Sequence, residues 1–154
     1  MKNLLKGTLT EENLLKAFAG ESQARNRYNF FASKAKSDGY EQIACVFATT
    51  ADQEREHAKR FFKYLEGGVA TIHNATFPAG IISTTERNLA AAAEGEHEEW
   101  DVLYSSFAET AMAEGFSKIA LTFKFVAEVE KEHERRYLKL LSRLTDGDFF
   151  RRDG

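Results

Sequence analysis

Two stretches of this chain repeat each other at one fixed offset. EREHAKRF from Glu54 and EKEHERRY from Glu130 share a Glu-x-Glu-His core followed by basic residues and an aromatic. DGYEQIACVF from Asp38 and EGFSKIALTF from Glu114 match in their Gly, aromatic, Ile-Ala and Phe positions, and both pairs are displaced by 76 residues. A chain that carries one helical segment twice must give both copies equivalent surroundings. Gene duplication is the simple source of the repeat, and a pseudo-twofold helical bundle is the expected product.

One proline and few glycines, against abundant Ala, Glu, Lys, Leu and Phe, make the composition helix-rich. The breaks predict four helices. The first starts at a Thr10 cap and stops at the Asp38-Gly39 turn; the second follows at once and ends at Gly67-Gly68. A capping box over Ser83-Thr84-Thr85-Glu86 opens the third, which ends at Glu114-Gly115, and the fourth runs from Phe116 to Leu144. The turns at Gly39 and Gly115 are short enough to force antiparallel hairpins, whereas residues 69–82, with the lone Pro78, form a long connection. A helix of ~26 residues spans about 39 Å, and ~15 extended residues reach roughly 50 Å. The predicted architecture is all-α: a four-helix bundle over residues 1–145, two antiparallel hairpins joined by a crossover, with residues 146–154 as a polar tail or linker stump.

Carboxylates interrupt the apolar seams. In the fourth helix Ile119, Phe123, Val126, Glu130, His133, Tyr137, Leu140 and Leu144 step by four and three, the spacing of a packed face. The second helix does the same through Ile43, Phe47, Thr50, Glu54, His57, Phe61 and Leu65, and the first places Glu21 within Leu14, Ala17, Phe18, Ala24, Tyr28, Phe31 and Ala35. The third carries both Glu96 and Glu99 among Leu89, Ala92, Leu103 and Phe107. Five inward glutamates and two histidines at matching heights would repel one another and be costly to ionise in a core. A multivalent cation removes that conflict. Residues at i and i+3 share a helix face, so each Glu-x-x-His pair aims an oxygen and a nitrogen at one ion. A Glu from each of two helices with Glu-x-x-His from each of the other two is the di-iron or di-manganese carboxylate pattern of ferritin-like bundles. Oxygen-rich ligands with two imidazoles suit iron or manganese over zinc or copper.

Other residues read differently. Glu56 and Glu132 fall off the seams and face outward, His97 faces outward or packs behind the ligands, His73 sits in the connection, and Cys45 flanks the second seam as a small packed residue. A net charge of -3 with both signs mixed along the chain offers no basic face for nucleic acid. The N-terminal stretch has no apolar signal region and no later segment approaches a membrane span, so the reading is a soluble cytoplasmic protein. The single Cys45 excludes disulfides and thiolate metal sites within the chain.

At these residues the sequence resembles the rubrerythrin family over nearly its whole length. The matching stretches are FAGESQARNRY around Glu21, ADQEREHAKRFFKYLEGG around Glu54 and His57, FPAGII in the crossover, GEHEEW around Glu96 and Glu99, and EKEHERRY around Glu130 and His133. The resemblance implies a non-haem di-iron peroxidase that reduces hydrogen peroxide to water, working as a homodimer. Carried across, Glu54 and Glu130 bridge the two iron ions, Glu21 binds one, and Glu96 with His133 binds the other. His57 and Glu99 are alternative ligands that exchange with oxidation state, and Tyr28 and Tyr104 match tyrosines near the family's centre. Four glutamates neutralise two ferrous ions, whereas two ferric ions favour the further carboxylate of Glu99. Manganese is the other metal such a site accepts. Typical relatives continue into a rubredoxin-like domain with two Cys-x-x-Cys pairs, for which Cys45 cannot substitute. Either a separate donor protein such as rubredoxin supplies electrons, or the sequence is the bundle portion of a longer parent. The alternative reading is a ferritin-like iron oxidation and storage protein.

Overall fold

The computed structural model describes residues 4–148. Its helices are α1 (Leu9–Ser37), α2 (Glu41–Phe62), α3 (Thr85–Glu98), α4 (Tyr104–Ala113) and α5 (Ser117–Thr145), with a π-helical turn, Glu99–Leu103, fusing α3 and α4 into one long helix. The result is a four-helix bundle, and among the described residues there is no strand.

The repeat is visible in the backbone. At the first hairpin the amides of Asp38, Gly39 and Tyr40 donate to the carbonyls of Lys34, Lys36 and Ala35; at the second those of Glu114, Gly115 and Phe116 donate to Thr110, Met112 and Ala111. Every partner is the counterpart 76 positions on. Gly39 and Gly115, at φ of 90° and 88°, take the left-handed conformation that closes a helix C-terminus and that only glycine adopts without strain.

The central connection returns along the bundle. At one end Glu66 accepts from the Leu5 amide at 2.8 Å; at the other, Thr85 Oγ1 donates to Asp38 Oδ2 at 2.8 Å, fixing the start of α3 beside the α1–α2 turn. The crossover topology follows from these two anchors.

Several boundaries differ from expectation. Thr8, not Thr10, caps α1, its Oγ1 accepting from the Glu11 amide at 3.1 Å, while Glu114 takes the Thr10 amide at 2.7 Å and its hydroxyl. A carboxylate from the far hairpin thus does what a local cap was expected to do. Helix α2 ends at Phe62, ahead of Gly67, because Tyr64 and Leu65 turn back onto Phe61 and Phe62 and Tyr64 bonds Thr122 across the bundle. Thr84 caps α3 through the Arg87 amide, and Asn88 rather than Glu86 satisfies Ser83. Cys45 is exposed, since α2 turns Ile43, Ala44 and Phe47 inward and Cys45 away. Of the expected tail, residues 149–154 lie outside the described residues.

Two apolar clusters divide the interior. One, around Tyr28, Phe31, Phe47, Leu89 and Tyr137, fills the end nearest Gly39; the other, around Leu14, Phe61, Tyr104, Phe107 and Phe123, fills the opposite end. Phe61 and Phe123 lie 5.2 Å apart between ring centres, and so do their counterparts Tyr137 and Phe47. Between these plugs lies a polar layer.

Candidate metal centre

Helix periodicity places that layer. Glu21 of α1, Glu54 and His57 of α2, Glu96 of α3, and Glu130 and His133 of α5 occupy seam positions, and all six are buried. Their ligand atoms converge in two groups: Glu21, Glu54, His57 and Glu130, and Glu54, Glu96, Glu130 and His133, each within 4.8 Å. Glu54 and Glu130 belong to both groups. Each histidine approaches the shared glutamate of the other copy, His57 Nδ1 at 2.7 Å from Glu130 Oε1 and His133 Nδ1 at 3.0 Å from Glu54 Oε1. The imidazoles stack at 6.0 Å.

The outward atoms of the layer are held. Tyr28 donates to Glu96 Oε1 at 2.6 Å and Tyr104 donates to Glu21 Oε1, so the first and third long helices each fasten the other's carboxylate. Gln53 Oε1 accepts from His133 Nε2 at 2.7 Å. This hydrogen bond turns Nδ1 toward the carboxylates. Gln53 is absent from the sequence-based set, because a lone amide beside a seam gives no pattern.

The inward atoms are not held. Glu21 Oε2, both Glu54 oxygens, His57 Nδ1, Glu96 Oε2, Glu99 Oε2 and Glu130 Oε1 are buried without a hydrogen-bond partner; the close approach of His57 to Glu130 lacks hydrogen-bonding geometry. Buried polar atoms are nearly always satisfied. Six of these orphaned atoms belong to the two groups and fit a cation in each, and hard carboxylate oxygens with two imidazoles fit iron or manganese.

Electrostatics says the same. Burial, with repulsion from Glu21 and Glu96, pushes the Glu54 carboxyl well above the usual range, and burial with Glu21 and Glu54 does so for Glu130. Burial also raises Glu99, beside Glu21 and Glu96, with Arg27 opposing. Burial acts to raise Glu21 too, but its interactions with Glu54, His57 and Tyr104 outweigh it and leave that carboxyl low. The phenols of Tyr28 and Tyr104 are pushed up by burial and the adjacent glutamates, which keeps them as donors.

Glu99 stands beside the two groups rather than in them. It opens the π-helical turn and is half-buried, with Oε1 lying over Gly20 of α1. The turn also shifts the seam: Tyr104 is buried where Leu103 was expected, and Leu103 is partly exposed. A signal for this exists in the sequence. Glu21 and Tyr28 are seven positions apart, whereas Glu96 and Tyr104 are eight apart, and a π turn absorbs the one extra residue. His97 lies outside the layer, bonded to Glu134 at 3.0 Å, and His73 pairs with Glu12 at the surface.

The rubrerythrin family model matches residues 12–141. The chain belongs to the rubrerythrin family. It is 62% identical over 152 residues to rubrerythrin of Porphyromonas gingivalis, covering 99% of this chain and 76% of that one. Rubrerythrin of Nitratidesulfovibrio vulgaris is 55% identical over 149 residues, covering 97% and 78%. A solved structure of nigerythrin in a mixed-valence state superposes with a TM-score of 0.78 at 30% identity, covering 93% of this chain and 73% of that one. The same protein has been solved fully reduced, all ferrous, and matches at 0.76. The polar layer is accordingly a candidate iron-binding centre of the rubrerythrin type. Among the described residues no helix is long and apolar enough to cross a membrane.

Proposed function

We propose that this chain is a cytoplasmic di-iron peroxidase, reducing hydrogen peroxide to water with electrons from a separate donor protein such as rubredoxin, and acting as a homodimer. The observation that carries the reading is the pair of buried four-residue groups sharing Glu54 and Glu130. Peroxide needs two electrons and two protons to become two waters; two ferrous ions, when bound, supply one electron each, so no one-electron oxygen radical is released.

The chain's residues divide the remaining work. Glu54 and Glu130 span both sites, Glu21 and His57 complete one, and Glu96 and His133 complete the other. Tyr28 and Tyr104 hold Glu96 and Glu21 through their hydroxyls, leaving one oxygen of each free to face inward. The aromatic plugs on either side exclude bulk water, which strengthens electrostatic interactions in the layer.

Glu99 and His57 would serve as alternative ligands to one iron as the centre changes charge. Glu99 carries one buried oxygen without a partner, and His57 Nδ1 is buried without a hydrogen-bond partner. His133, by contrast, is anchored by Gln53. Only one copy of the repeat is free to switch.

The test is stopped-flow oxidation of the stoichiometrically reduced, iron-loaded protein by hydrogen peroxide and by dioxygen. The faster reaction is expected with peroxide; a slower one removes the peroxidase reading.

A further inference from the structure

The two copies of the repeat differ just outside the polar layer. Glu134 follows His133 on α5, whereas the position 76 residues earlier, following His57 on α2, is Ala58. The Glu134 carboxylate reaches across to the end of α3 and to the π turn. His97 Nδ1 lies 3.0 and 3.1 Å from its two oxygens, and Trp100 Nε1 donates to Oε2. An ionised carboxylate only accepts, so both rings act as donors. The two rings meet edge to face at 4.9 Å, and Lys131, three positions before Glu134, places Nζ 5.1 Å over the indole. His97 and Trp100 stand on either side of Glu99 in the chain, so α5 grips the backbone just before and just after the residue that opens the π turn.

We infer that Glu134 is a positioning residue for Glu99: through His97 and Trp100 it fixes the backbone of the π turn, so that the Glu99 side chain alone moves to and from the iron. The inference rests on the exchange of Glu99 and His57 proposed above. A π turn closes a wider ring, here with the Tyr104 amide donating to the Glu99 carbonyl five residues back, and such turns are rare and frequent at functional sites. A side chain that binds in one oxidation state and withdraws in the other must return to the same place, which requires a backbone held to within roughly 0.5 Å. The Glu99 carboxylate supplies no such anchor itself. Its Oε2 is buried without a hydrogen-bond partner, and its Oε1 lies over Gly20, which has no side chain to hold it. Where α1 packs on α2, the half that brings a single glutamate, α1 is unbroken and Ala58 takes the place of Glu134. Helix packing in that half is served by an alanine. The clamp is present only beside the carboxylate that moves.

The experiment removes the indole donor without changing charge. Trp100 is the only tryptophan, so incorporation of benzothienylalanine replaces it alone, putting sulfur in place of the N–H and keeping the ring; Trp100→Phe is the second variant. Ferrous ion affinity is measured by calorimetry and the midpoint potentials by redox titration of the iron-loaded full chain. On the exchange reading Glu99 binds the ferric form and His57 the ferrous form. Ferrous affinity is therefore expected to match the parent, which also shows that the variants are folded, while ferric binding weakens roughly tenfold. The ferric state is then the less favoured one, and a one-electron midpoint potential rises by about 59 mV for each tenfold. An unchanged potential would overturn the inference, as would equal weakening of ferrous and ferric binding, the mark of a clamp that only packs α3 on α5. Structures of the parent in both oxidation states separate the two readings. If Glu99 ligates in neither, the exchange fails and the clamp with it; exchange in the parent beside an unmoved potential in the variants overturns the clamp alone.

Discussion

Gln53 and His133 come from different copies of the repeated helix and meet at 2.7 Å, Oε1 accepting from Nε2. The bond fixes which nitrogen of His133 faces the carboxylates. Replacing Gln53 with Leu leaves every layer residue in place yet frees the ring, and loss of such a supporting partner lowers metal affinity roughly 10- to 100-fold. Chelator competition on the Gln53→Leu protein is expected to show one weakened iron and one unchanged. Unchanged affinity at both would mean that packing alone orients the imidazole.

Tyr104 supplies the hydrogen bond made to Glu21, whose other oxygen is buried and unpartnered. Tyr104→Phe preserves the ring's packing against Phe61 and Phe123 and removes only that donor. The metal-free protein is expected to lose about 1–3 kcal/mol, the cost of stranding a buried acceptor. Urea unfolding with and without iron checks this, with a smaller loss expected when the metal takes up the carboxylate.

Stability of the metal-free chain carries a pH signature. Burial and neighbouring carboxylates raise Glu54 and Glu130 above their unfolded values, so the folded state holds more protons. Their contribution is full below the ordinary carboxylate range and is lost as pH rises through the raised values; Glu21, shifted down, acts in the opposite sense at lower pH. Glu54→Gln is expected to become progressively more stable than the parent as pH rises, measured by thermal unfolding of both without metal. Iron binding reverses the trend, since ligation displaces those protons. A pH-independent difference between the two proteins would contradict the assignment.

Much of this was legible in the sequence because the seams are regular. All eight seam residues of the fourth predicted helix, from Ile119 to Leu144, are buried in α5, and the two hairpins and the crossover follow from the glycine turns and one long connection. The layer of Glu21, Glu54, His57, Glu96, Glu130 and His133 follows from the same periodicity. What periodicity misses is where it breaks. The π turn at Glu99–Leu103 shifts the seam locally, exchanging Leu103 for Tyr104 on the inner face while Phe107 stays buried, and Glu99 at its start is half-buried. Contacts between distant segments are equally hidden: Glu114 capping α1 and Gln53 holding His133 depend on pairings that no local pattern encodes.

The central claim is that two groups of ligands form one centre through shared carboxylates, and iron content across two variants tests it most directly. Iron bound per chain is measured for Glu130→Ala and His57→Ala at equal free ferrous ion. Removing Glu130 is expected to deplete both irons, because it belongs to both groups, whereas removing His57 is expected to weaken one. A Glu130→Ala protein that keeps its full iron, or that loses only the iron lost by His57→Ala, would contradict the account.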